Sequence, residues 1–209
     1  MQLLNKGAIK NTFAHTWYMY PIGIALVSMI WVWSFYAFHL PSSHQKINIF
    51  FATDVKNDSF LKDIMNKHYE KEKLREVSET YSLPSGTLFV QKLQIALGST
   101  DIMVLDETTL GGFQNQYKDQ LVEFTSYIKD NYLTSSHTYY DFDGKNYGIL
   151  IKEKNSTCYL TNYMTFDEEK DYYLVLNQAS TNLGKVTSED NAYYDNALTY
   201  MNYLLEGNL

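Results

Sequence analysis

Cysteine is almost missing from this chain: Cys158 is the only one in 209 residues. That excludes an intramolecular disulfide framework and a zinc site built from several thiolates. It also excludes a lipid-modified cysteine behind the N-terminal apolar run, because Cys158 lies far downstream. Arginine is as scarce. Arg75 stands alone beside 16 Lys, and with abundant Asn and 19 Tyr this is the profile of an AT-rich, low-GC bacterial coding sequence. The five His show no H-x-H or H-x-x-x-H spacing, so a metal site lacks its ligand pattern. Asp141 and Asp143 begin a D-x-D-G fragment without the later Glu of a calcium loop, which reads as a turn. No G-x-S-x-G, Walker or Cys-His arrangement occurs, so neither an enzyme nor a cofactor is expected. There is no internal repeat and no low-complexity block.

Acidic residues are missing from the first 53 positions, where Lys6, Lys10 and Lys46 give a charge of +3. The whole chain carries −7, so residues 54–209 carry −10. So acidic a domain argues against nucleic acid or an anionic membrane surface as its partner.

What the N-terminal part does contain is an apolar run. Residues 17–38 hold no charged side chain, and at ~1.5 Å per residue a helix of that length crosses a hydrocarbon core of about 30 Å. Trp17, Tyr18 and Tyr20 stand at one end and Trp31, Trp33 and Tyr36 toward the other, as amphipathic rings do at membrane interfaces. The run is longer than the core of a signal peptide, and no Ala-x-Ala follows it, which favours an uncleaved signal anchor. Lys6 and Lys10 place residues 1–16 in the cytoplasm. The expected order is a cytoplasmic flank (1–16), a transmembrane anchor (17–38), a linker (39–45) and an extracellular domain (46–209), single-pass in the cell membrane.

The domain reads as α/β. An apolar strand is expected over 46–53, then a helix over 54–72 capped by Asp58 or Ser59, with Phe60, Ile64, Met65 and His68 on one face. A strand over 74–81 follows. Ser85-Gly86-Thr87 opens a helix whose apolar face is Leu88, Phe89, Leu93, Ala96 and Leu97, with Gly98 as C-cap. Residues 101–105 are apolar without alternation, the mark of a strand covered on both faces. This βαβαβ order predicts a mostly parallel sheet with flanking helices. Beyond it, one or two helical turns are expected within 116–127, a turn at Asp143-Gly144 inside a strand-like stretch 139–151, a strand over 172–177, and a helix over 188–206. Ser188 is that helix's expected N-cap, and Ala197, Tyr200, Met201 and Leu204 its buried stripe.

Three stretches carry a resemblance. The segment from Lys92 through Asp101-Ile102-Met103-Val104-Leu105 resembles a helix and strand of extracellular solute-binding proteins of ABC importers. Gly111-Gly112-Phe113 resembles the Gly-Gly-Tyr of their maltose-binding members. Asp143-Gly144-Lys145-Asn146-Tyr147-Gly148-Ile149 resembles the Asp-Gly-Lys-x-Tyr-Gly-Ile-Pro through which that family leaves its first lobe, with Leu150 in place of the Pro. The resemblance implies a periplasmic-binding-protein-like fold of type II. Only about 20 residues, 152–170, separate that strand from the next, too few for a second lobe. The chain therefore resembles one lobe of such a protein, tied to the membrane. The family's sugar-binding Trp and Asp-Arg pair are replaced here by Leu105, Thr108 and Thr109, so maltodextrin binding in the family's manner is not carried over.

In an open α/β sheet, ligands sit beyond the carboxyl ends of the strands. That rule selects Thr53 and Asp54 after the first strand, and Asp106, Glu107 and Thr108 after the third, as a polar site; the same acids would serve as helix caps in a solvated loop. Asp101, before its strand, reads as a turn or cap residue. The pairs Tyr139-Tyr140, Tyr172-Tyr173 and Tyr193-Tyr194 offer a contact surface or core. The functional expectation is a non-enzymatic, membrane-anchored accessory or sensing component of an ABC-type sugar transporter or another membrane complex. Its partners would be the bilayer, a permease and a carbohydrate. The alternatives are an independent carbohydrate-binding protein and an exported hydrolase.

Overall fold

A computed structural model describes residues 16–57, 59–60, 74, 76–116, 118–133, 136–183 and 195–207, without the side chains of 44 and 113–118. The chain divides into two units, Met1–Leu40 and Pro41–Leu209.

In the first unit, α1 spans Met19–His39, 21 residues or about 31 Å at ~1.5 Å each, long and apolar enough to cross a membrane. None of its residues is buried. Its last turn closes with Leu40 N–H donating to Tyr36 O and the His39 ring stacked on Phe35 at 4.1 Å; Pro41 follows.

The second unit is a three-layer α/β structure. Its strands are β1 (Lys46–Phe51), β2 (Asp54–Val55), β3 (Glu76–Tyr81), β4 (Ile102–Asp106), β5 (Tyr139–Phe142), β6 (Lys145–Lys152), β7 (Met164–Thr165) and β8 (Tyr172–Leu176). Its helices are α2 (Phe89–Ser99), α3 (Glu107–Gln116), α4 (Ser126–Tyr132) and α5 (Asn196–Glu206). The main sheet runs β3-β1-β4-β8-β6-β5, while β2 and β7 form a separate antiparallel pair. β1 pairs in parallel with both β3 and β4, as βαβαβ order requires; β8 enters antiparallel to β4 and to β6, and β5 antiparallel to β6. Four of the six strands thus share one direction, though only two of the five pairings are parallel.

The period-2 pleat splits the strands between two cores. Ile47, Ile49, Phe51, Ile102, Val104, Leu174 and Leu176 face one side, where Ile128 of α4 and the stripe Ala197, Tyr200, Met201 and Leu204 of α5 cover them. Phe50, Met103, Leu105 and Val175 face the other, under Phe89, Leu93, Ala96 and Leu97 of α2 and Leu110 of α3. All five residues of β4 are buried, as its uninterrupted apolar run predicts. The Asp143-Gly144 turn joins β5 to β6 with positive φ at both positions (53° and 75°), the two-residue turn whose twist matches a hairpin.

Several expectations are corrected. Asp54 and Val55 do not begin a helix; they pair with Thr165 and Met164 as β2, because the chain first crosses the sheet end. Of that expected helix, Phe60 is fully buried, while Ile64, Met65 and His68 lie outside the described residues. Gly98 is not the C-cap of α2; the helix continues to Ser99 and Thr100 caps it in extended conformation, its hydroxyl donating to Ala96 O at 2.8 Å. Leu88 is exposed rather than part of the buried face of α2. Directly after β4 stands α3 rather than a loop. Gly111-Gly112 lowers its intrinsic propensity, but an N-cap and the buried Leu110 hold it. Ser188 and Tyr193-Tyr194 lie outside the described residues, and α5 is described from Asn196.

No lobe is inserted between β6 and β8. Residues 153–171 make a short 3-10 turn (Tyr159–Asn162) and β7, and bury Leu160, Met164 and Phe166 in the same core as α5.

Candidate functional site

The parallel strands β1 and β3 end side by side, Phe51 opposite Tyr81. Beyond those ends lies an open cleft of about 340 Å³, lined by Thr53, Asp54, Tyr81, Ser82, Leu83, Gly86, Thr87, Leu88 and Lys92. It is bounded by the turn that leads into α2, closed by Gly86 N–H donating to Leu83 O. A Cβ at Gly86 would stand 3.1 Å from that same carbonyl, so the turn favours glycine.

The polar groups differ in their freedom. Thr53 is buried and its hydroxyl donates to Thr165 O at 2.5 Å, which ties β1 to β7. Asp54 is exposed, and its Oδ1 accepts the Val55 N–H. Lys92 Nζ donates to Tyr81 O at 3.2 Å from the first turns of α2. The Tyr81 ring stacks on Phe51 at 5.3 Å and its hydroxyl donates to Glu79, so that ring belongs to the core and is no free platform for a sugar face. Burial pushes the Glu79 carboxyl up to about 7, against the opposing hydrogen bond from Tyr81. Burial first, and then Glu79, raise the Tyr81 phenol above its ordinary value.

Asp106, Glu107 and Thr108 do not line this cleft. Asp106 is fully buried and N-caps α3: its Oδ1 accepts Thr109 N–H at 2.6 Å, and its Oδ2 pairs with Lys170 Nζ at 3.1 Å. Burial disfavours the Lys170 charge, but the hydrogen bond and field of Asp106 outweigh it and raise the ammonium's pKa. Glu107 and Thr108 are exposed in the first turn of α3, with Glu107 N–H donating to Asp171 O. Of the five residues chosen by the rule of strand ends, two, Thr53 and Asp54, line this cleft. The rule misses Ser82, Thr87 and Lys92, which come from the turn after β3. The Ser85-Gly86-Thr87 signal marked that turn only as a helix start.

At the opposite end of the sheet, Asp101 is a joining residue. It accepts Asn48 N–H at 2.8 Å, the Ser180 hydroxyl at 2.5 Å and Asn182 Nδ2 at 3.0 Å, and burial still raises its carboxyl above the usual range. Tyr172 is buried, Tyr140 packs edge-on to Tyr173 at 5.1 Å, and Lys129 sits 4.2 Å over the Tyr139 ring. Among the described residues, no three His, Cys, Asp or Glu side chains gather as a metal site would need.

No protein-family model and no curated protein matches the chain. Among solved structures it is similar to the ABC substrate-binding protein Lmo0181 from Listeria monocytogenes in complex with cycloalternan, with a TM-score of 0.37 and 21% identity. That match covers 51% of this chain and 28% of the Listeria protein.

Proposed function

We propose that this chain is a non-enzymatic, membrane-anchored extracellular domain, an accessory or sensing component beside an ABC-type sugar transporter or another membrane complex. The observation that carries this reading is the one-walled cleft. It opens at the carboxyl ends of β1 and β3, while residues 153–171 fold into the core of the same lobe. A solute carrier of the resembled family closes two lobes around its ligand. One wall buries too little of a small solute to hold it tightly, so a second wall must come from a partner. The ordered motifs within 92–149 support the link to importers, and a permease is the partner that link implies. The length and apolarity of α1 support the anchor, and Lys6 and Lys10 support a cytoplasmic N-terminus.

In this reading Thr53, Asp54, Ser82, Thr87 and Lys92 form the ligand face. Glu107 and Thr108 extend it, and Asp106 acts by positioning α3. Independent carbohydrate capture is the second reading. It is favoured by the cleft's size, within the roughly 300–1,000 Å³ of small-ligand sites. A hydrolase needs a nucleophile with its base or two facing carboxylates, and the cleft lining offers one carboxylate, Asp54.

Calorimetric titration of the full chain in detergent with maltose and maltodextrins separates the first two. The accessory reading expects no binding tighter than millimolar. Micromolar binding that Asp54→Ala abolishes would replace it with independent capture.

A further inference from the structure

Helix α2 buries Phe89, Leu93, Ala96 and Leu97 and turns the rest of its circumference to solvent. On a helix in an acidic domain, that outward face should be rich in charge. It is not. Leu88, Val90 and Ile95 are 56%, 64% and 70% exposed, Gln91 and Gln94 lie among them, and Lys92 is the one charged residue. The loop before the helix adds Leu83, 46% exposed. Among the described residues of the second unit, six large apolar side chains are exposed, and four of them belong to this one loop and helix. Scattered apolar residues are ordinary on a protein surface; four of six on a single loop and helix are a concentration.

Charge points the same way. Residues 80–100 are the longest stretch without an acid after Asp54, in a part of the chain whose net charge is −10. Asp54 and Asp119 stand only at the borders, in the clefts at either end of α2. Anionic headgroups would repel the acidic remainder of the domain, whereas a zwitterionic surface leaves the outcome to apolar contact. This face combines exposed aliphatics with a single Lys, whose ammonium is turned to Tyr81 O, so it presents apolar and uncharged polar side chains to a membrane surface.

We propose that the outward face of α2, with the loop before it, docks on the bilayer interface. The inference rests on the anchor reading above. A domain tied to the membrane meets its surface at high effective concentration, so a few partly inserted side chains suffice. The net charge still argues against an anionic surface for the domain as a whole. Docking is therefore local and driven mainly by Leu88, Val90 and Ile95, and it should occur on zwitterionic lipid.

The test uses the full chain in phosphatidylcholine vesicles whose acyl chains carry a nitroxide quencher. An environment-sensitive fluorophore is attached at Ile95→Cys in a Cys158→Ser background, with Glu169→Cys as the reference position. Quenching at 95 should exceed that at 169 several-fold, and Leu88→Gln with Val90→Gln should reduce the difference. Equal quenching at both positions, in protein that floats with the vesicles and resists alkaline extraction, would overturn docking and leave the anchor standing. Protein that fails to float would remove the anchor and the docking together.

Discussion

Glu79 shows how a single residue can set a property of the whole domain. It lies on the edge strand β3, its Oε1 is buried with no hydrogen-bond partner among the described residues, and burial pushes the carboxyl up to about 7. In the unfolded chain it titrates near 4.5. Between these values the folded state binds the extra proton, so stability falls as pH rises through that window. Urea titrations across pH 4.5 to 7 should show a steeper decline for the natural chain than for Glu79→Gln. Asp101, also raised, gives the variant a residual slope of the same sign, and His137, lowered by burial, contributes in the opposite sense. The difference between the two curves is the contribution of Glu79, and coincident curves would refute it. Nothing in Glu76-Val77-Ser78-Glu79 marks the second Glu as buried. The alternation of β3 puts Glu79 on the face of Val77, but its burial depends on which elements arrive above.

Among the elements, α2 and the β5–β6 hairpin differ in what local sequence could specify. The hairpin turn needs only Asp143-Gly144, because positive φ is a local demand that Gly meets without strain and Asp tolerates. The end of α2 instead depends on a residue 77 positions beyond Thr100. Asn177, fully buried, donates through Nδ2 to Leu97 O and Thr100 O, each at 2.9 Å, and accepts Ala179 N–H on Oδ1. It satisfies carbonyls that a helix leaves open at its C-terminus. Gly98 looked like the cap because glycine at a helix end usually is one; Asn177 could not be seen because its partners are distant in sequence. Asn177→Ala should lower unfolding stability by roughly 1–3 kcal/mol, the cost of leaving buried carbonyls unpaired. Thr100→Val should cost less, since the Ala96 carbonyl it releases still accepts the Thr100 backbone N–H at 2.8 Å. Equal losses, measured by chemical denaturation, would mean that Asn177 is no more than another surface cap. α3 was missed for a related reason: Gly111-Gly112 spoke against it, and the buried Asp106 cap and Leu110 decide for it.

For the whole molecule, the proposed anchor makes the most direct demand. Placing a charge at the centre of α1 costs ~3 kcal/mol of insertion. Val27→Lys should therefore release much of the protein into the soluble fraction on alkaline extraction, whereas Ile22→Leu should not. Retention of Val27→Lys with the membrane would count against a spanning helix. The long apolar helix α1, the parallel pairing of the first three long strands, the two-sided burial of β4 and the hairpin turn were legible in the chain, because each depends on residues within a single span or on one short-range period. The cleft residues Ser82, Thr87 and Lys92, the role of Asp106, the burial of Glu79 and the apolar outward face of α2 were not. Each depends on which distant segments meet: Lys170 with Asp106, the β3–α2 turn with Asp54, and α2 with no covering element among the described residues. Local patterns determine what a segment can become; long-range packing decides which of its side chains remain free to act.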